Sequence, residues 1–391
     1  MLAIITSPVI VQIMKKPLSI YIHWPWCKSK CPYCDFNSHV AQNAPHDAYI
    51  DAILTDINHQ KTLTGDRYVT SIFFGGGTPS LMEPQYIERI LAHVNNVYGI
   101  NKDTEITMEA NPTSSSADKF KGFRHAGINR LSIGVQSFNP DDLKFLGREH
   151  SEIDARYTVE NALNIFDNVS FDMIFGLPHQ QLDSWLSQLK YAIDIGTQHL
   201  SAYQLTIEKN TVFYAQVKKN KWRPMNDDIQ ADFYEATREL LTAHNYNHYE
   251  ISNFAKDGYN CQHNYNIWQY GDYIGVGAGA HGRVKNTKNQ CIATQNYKMP
   301  DKYIEAVEHV KHGFYKETKV LAEEQRQEMI LMGLRVDKGI PLSLLSDKTA
   351  TCQPLQGLIS NGLLQINGDN IVVTDKGQLL LDSILQELII D

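Results

Sequence analysis

Through the first half of the chain, short runs of β-branched and aromatic residues alternate with stretches of helical spacing at roughly 30-residue intervals. The runs at 18–23, 69–74, 105–109, 130–134, 169–174 and 199–205 read as strands. The stretches at 45–61, 84–97, 117–126, 153–165 and 182–195 read as amphipathic helices, and Gly127 and Gly196 stand where two of them stop. A strand followed by a helix of that length cannot return as a hairpin, so each unit places its next strand parallel to the last. Six such units fit an open, partial (βα)6 parallel barrel better than a closed eightfold one, and the expected fold class is α/β. In such barrels the reactive groups gather at the carboxyl ends of the strands.

The barrel is assigned to 17–206, after an N-terminal extension, 1–16. The segment 207–300 is aromatic-rich and reads as irregular, with 271–282 too glycine-dense for regular secondary structure. From 301 to 391 the pattern turns helical, with a strand at 371–373 and a last helix after Thr374-Asp375-Lys376-Gly377. This is expected to be a smaller, mainly helical, winged-helix-like C-terminal domain. A net charge of −8 gives no global attraction to nucleic acid or to anionic membrane, so that domain reads as a packing module and no nucleic-acid partner is expected. The apolar run at 2–13 is too short to span a bilayer and lacks the basic flank and cleavage site of a signal peptide. Met14 is an alternative start, no targeting segment is expected, and the chain is expected in the cytoplasm.

Of six cysteines, three fall within eight residues: Cys27, Cys31 and Cys34. Cys261, Cys291 and Cys352 are scattered, which is no disulfide framework; clustered thiols in a cysteine-poor chain suggest metal binding in a reducing compartment. The triplet directly follows the first strand, in Tyr21-Ile22-His23-Trp24-Pro25-Trp26-Cys27 and on to Phe36. Thiolates are the ligands that iron–sulfur clusters need, and three cysteines on a 4Fe-4S cube leave one iron open to a small chelating molecule. A zinc site is the competing reading, but zinc commonly pairs two CxxC knuckles, and no second knuckle is present.

With these residues the chain resembles the radical S-adenosylmethionine superfamily, more narrowly the oxygen-independent coproporphyrinogen III oxidase-like family, and within it the HemW-type heme chaperones. The resemblance runs from about Pro17 to the C-terminus. It implies a 4Fe-4S cluster on Cys27, Cys31 and Cys34, with S-adenosylmethionine on the open iron. It implies Tyr33 beside the adenine, and the loop Gly75-Gly76-Gly77-Thr78-Pro79 against the methionine amino group, where glycine allows close backbone approach. Tyr21, Glu109, Gln136, Arg148 and Asp172 complete the implied cofactor-binding set. Independently of the family, Gly77, Glu109 and Gln136 fall at or just past strand ends, whereas Asp172 sits earlier in its strand.

Two departures argue against oxidase chemistry. The oxidases resemble CxxxCxxCxC, but Phe36 stands at the fourth cysteine position; and only twenty residues precede Tyr21, where oxidases carry a longer segment. A third feature, Cys261-Gln262-His263-Asn264-Tyr265-Asn266-Ile267-Trp268, is similar to the HNxxYW segment of the heme chaperones, with Ile267 in place of its tyrosine. His263 is the expected heme ligand and Trp268 the ring that stacks on the macrocycle, with His23, Cys261 and His281 as other candidates and a hydrogen-bonded loop histidine as the structural alternative. The resemblance thus implies a heme chaperone that transfers heme to apo-hemoproteins such as membrane-bound respiratory enzymes, docking peripherally at the inner membrane as it does so. Radical decarboxylation of a porphyrinogen, radical methyl transfer and homodimerisation stay open.

Overall fold

The computed structural model describes residues 15–41, 43–345 and 353–389. Most of the N-terminal extension, Met14 and Cys352 lie outside the described residues. The six expected units are present as β1 (Lys16–Trp24), α1 (His46–Thr64), β2 (Arg67–Gly76), α2 (Pro84–Val97), β3 (Glu105–Ala110), α3 (Ala117–Ala126), β4 (Arg130–Gln136), a short α4 (Pro140–Phe145), α5 (Glu152–Leu163), β5 (Asn168–Phe175), α6 (Leu182–Ile195) and β6 (His199–Gln204). The strands are parallel and lie side by side in sequence order, β1 to β6. They are buried on both faces, the usual state of a parallel sheet covered by helices, and so read as continuous apolar runs. Helix ends follow local chemistry. Ser151 caps α5 in a reciprocal box with Asp154, and Gly127 ends α3 at φ 114°. The short α4 has no amphipathic repeat; Asn139 starts it by accepting from two backbone N–H groups.

The expectation of an irregular segment over 207–300 is corrected. It contains α7 (Val212–Lys218), α8 (Asp227–Ala243), β7 (Asn247–Glu250), β8 (Asn253–Ala255), α9 (Gln262–Trp268), β9 (Tyr273–Val276), β10 (His281–Lys285) and β11 (Cys291–Asn296). After α10 (Pro300–Val310), β12 (Phe314–Lys319) pairs with β11. The result is one twelve-stranded sheet in the order β12-β11-β10-β9-β1-β2-β3-β4-β5-β6-β8-β7. The glycines at 271–282 serve close packing of strands. A Cβ on Gly275 would collide with the His281 carbonyl oxygen, and one on Gly282 would lie 2.6 Å from Thr294 Oγ1. The strand β9 joins β1 in parallel, Ser19 opposite Tyr273, and the buried pair Arg67 Nη1–Asp272 Oδ2 (2.8 Å) fixes that edge.

A second hydrophobic core, including Ile330, Leu345, Leu358, Ile371 and Ile384, belongs to the C-terminal elements. These are α11 (Ala322–Gly333), β13 (Ile340–Pro341), α12 (Gln353–Ser360), β14 (Leu364–Asn367), β15 (Asn370–Val373), α13 (Asp375–Gln378) and α14 (Leu381–Ile389), with a three-stranded sheet ordered β13-β15-β14. Helices around an antiparallel hairpin agree with the winged-helix-like expectation. No helix among the described residues is long and apolar enough to cross a membrane.

Candidate functional site

Where β1 ends, the chain makes a short parallel bridge, Trp26–Cys27 with His39–Val40, which closes residues 28–38 into a loop carrying the other two cysteines. The glycine loop after β2 is tied to it: Gly77 N–H donates to Trp24 O (2.7 Å) and Thr78 N–H to Trp26 O (2.9 Å). Only glycine fits here. A Cβ on Gly77 would stand 2.7 Å from Trp26 O, and Gly76 adopts φ 113° against the His23 ring. The three thiols are free and partly exposed. Thr78 Oγ1 donates to Cys27 Sγ (3.4 Å) and Arg148 Nη1 to Cys31 Sγ (3.6 Å), contacts that suit sulfur carrying negative charge. The donor set fits a cluster with three protein ligands.

These groups face a cavity of about 720 Å³ at the carboxyl ends of the parallel strands. It is lined by Cys27, Cys31, Tyr33, Cys34, Gly76, Gly77, Thr78, Glu109, Gln136, Arg148 and Asp172, so most of the expected set is brought together. A bulge between Gly134 and Gln136 gives Gln136 φ 71° and turns it out of the strand's alternation. Arg148 Nη2 donates to Gly134 O (2.7 Å). Glu109 accepts from Gly76 N–H (3.1 Å); burial, and then the charge of Asp172, push its carboxyl up to about 8 against that hydrogen bond. Burial raises the Asp172 carboxyl as well, while Ser132 donates to it at 3.3 Å. The charges of Arg130 and Arg148 partly offset the rise at Asp172, whereas among the described residues no cation acts on Glu109 in this way; the ammonium and sulfonium of S-adenosylmethionine would supply one.

Residues 21–191 match the Radical SAM superfamily, and residues 320–380 match the HemN C-terminal domain. The chain is 39% identical over 382 residues to "Heme chaperone HemW" of Escherichia coli K12, covering 95% of this chain and 97% of that one. The chain belongs to the HemW family. Its similarity extends to the mouse "Radical S-adenosyl methionine domain-containing protein 1, mitochondrial", 35% identical over 95% of this chain and 87% of that one. Among solved structures, coproporphyrinogen III oxidase of E. coli superimposes with a TM-score of 0.80 over 96% of this chain and 91% of that one, at 24% identity, which bears on the fold alone. The HemW-family assignment agrees with the α/β barrel followed by a C-terminal HemN-type domain.

In this HemW-family chain three expected residues are not brought to the first cavity. Tyr21 lines a second cavity, of about 630 Å³, with its hydroxyl 3.0 Å from His23 Nδ1. His263 lies in the core at 1% exposure, stacked on Phe73, with Nδ1 3.0 Å from Ser71 Oγ. Burial, then the charge of Arg130, lower its pKa to about 3. Its position follows from Glu105, whose carboxylate accepts the N–H groups of Gln262 and His263 and anchors α9 against β3. Trp268 packs beneath the Arg335 guanidinium, 4.9 Å from its ring centre, and Ile267 of that motif lines the second cavity. Sequence reading passed over Tyr203, Gln204, Arg335, Leu379 and Leu380, which line the far side of the first cavity. The strand-end rule could have found Tyr203 and Gln204, which close β6; nothing local marks the C-terminal residues.

Proposed function

We propose that this chain is a heme chaperone that binds heme and passes it to apo-hemoproteins, membrane-bound respiratory enzymes among them. The observation that carries this reading is the 39% identity to the E. coli protein named heme chaperone HemW, along nearly the whole of both chains. Phe36, 57% exposed on the wall of both cavities where the oxidases have an extra cysteine, supports it. In this reading Cys27, Cys31 and Cys34 hold the 4Fe-4S cluster. Gly76 and Gly77 admit the methionine end of S-adenosylmethionine, Glu109 and Asp172 meet its cationic and hydroxyl groups, and Tyr33 lies beside the adenine. When bound, S-adenosylmethionine supplies a sulfonium open to reductive cleavage. Here the pair gates heme transfer or promotes pairing of two copies, and turnover is not required.

A second reading is a radical enzyme acting on a porphyrinogen, or a radical methyltransferase. The extent of the first cavity favours it, since the cavity runs on past Tyr203 to Leu379 and Leu380. Reconstituted protein separates the two. A Soret shift on titrating hemin, without loss of coproporphyrinogen III, is the expected result. Consumption of coproporphyrinogen III with release of 5′-deoxyadenosine would instead establish the enzyme. Failure to take up about four iron and four sulfide per chain would sink both.

A further inference from the structure

The second cavity lies between the cysteine loop and the turn that joins β9 to β10. Its volume is within the ~300–1,000 Å³ of sites that enclose small organic ligands. Three kinds of side chain meet there. Tyr21, Phe36, Ile267 and Tyr273 supply apolar and aromatic surface. Lys30 and Lys298 are exposed ammonium groups, and neither forms an ion pair among the described residues. Three imidazoles, those of His23, His39 and His281, line the same space. A flat conjugated ring with a central metal and two acidic arms is the class of molecule that needs all three at once.

The three imidazoles are not equivalent. Both nitrogens of His23 are engaged, Nδ1 with the Tyr21 hydroxyl (3.0 Å) and Nε2 with Asn37 O (2.8 Å). The Nε2 of His39 is buried with no hydrogen-bond partner, an unmet polar atom in the side chain of a residue on the cavity wall. His281 is exposed, and its ring has no hydrogen bond among the described residues. Its backbone is nonetheless fixed. It opens β10 opposite Gln295, and its carbonyl oxygen is held against Gly275, where no Cβ would fit. A free imidazole on a rigid strand end is placed as a metal ligand must be.

We infer that this second cavity is the heme cleft, with His281 as the iron ligand and Lys30 and Lys298 pairing with the two propionates. The inference rests on the chaperone reading above and deepens it, moving the ligand from the buried His263 to an imidazole that a ligand can reach. Asp35 is the exposed carboxylate on the same wall and works against the two lysines, so both are needed.

The test is a hemin titration of the full-length, cluster-reconstituted protein followed by Soret absorbance. His281→Ala is expected to weaken binding at least about tenfold, since losing a partner one shell beyond a metal already costs ~10–100-fold. Its Soret band should shift, and free imidazole should restore both position and affinity. Iron and sulfide content should match wild type, showing that the variant folds. His263→Ala, with its cluster intact, should keep the wild-type Soret position. Wild-type titration by His281→Ala, or weakened binding that imidazole does not rescue, overturns the inference and leaves the chaperone reading standing. No saturable hemin binding by wild type overturns the chaperone reading itself.

Discussion

Glu109 stands one residue before the end of β3 with its carboxyl inside the barrel, where it keeps its proton to about 8 against an ordinary value of 4.5. Between those two values the folded, ligand-free protein therefore holds a proton that the unfolded chain has released. The contribution is fully present below about pH 4.5 and is lost as the pH rises through 8, so unliganded stability should fall across that window. Unfolding midpoints measured at intervals across it should decline for wild type and decline less steeply for Glu109→Gln; equal slopes would refute the assignment. Binding of a cationic ligand such as S-adenosylmethionine should drive that proton off, and calorimetry in buffers of different ionisation enthalpy would count it. The position of Glu109 was legible, because a strand end in a parallel barrel faces the site. Its ionisation was not, because that comes first from burial and then from the charge of Asp172, and both arise only in the folded barrel.

The elements that sequence reading recovered are those with a strong period or a sharp stop: the doubly buried parallel strands and the helices ending at Gly127 and Gly196. The missed strands are short and flank the parallel core, β9 pairing in parallel with β1 and the others antiparallel, and three to six residues carry too little alternation to stand out. Glycine made this worse. At 275 and 282 it was read as a breaker, yet it is what allows β9 and β10 to pack. Gly275→Ala should therefore destabilise the protein by about 3 kcal/mol or more, at or beyond the upper end of the usual overpacking cost, because its methyl meets backbone and not a movable side chain. Urea unfolding of the full chain measures this, and a change under about 0.5 kcal/mol, the range of neutral surface substitutions, would be inconsistent with the strand packing described. His263 is the converse case. Its motif was legible and its environment was not, since Glu105 and Arg130, which set that environment, come from other strands.

At the scale of the whole molecule the two cavities are neighbours through one piece of chain. Lys30, Asp35, Phe36 and Ser38 face both, and Gly76 and Glu109 stand at the junction. The loop that presents Cys31 and Cys34 is thus also a wall of the cleft assigned to heme. Whatever orders that loop from one side changes the free energy of occupying the other, and by linkage the effect is reciprocal. Removing the cluster should weaken hemin binding, and saturating hemin should raise by the same factor the chelator concentration needed to strip the iron at equilibrium; for typical coupling this is about 5–150-fold in affinity. Hemin titrations of cluster-free and cluster-loaded protein would measure it, and equal affinities would show the two sites to be independent. With that coupling, the proposed iron–sulfur centre would act as an effector: heme would be taken up more readily when the cell has iron and sulfide to spare.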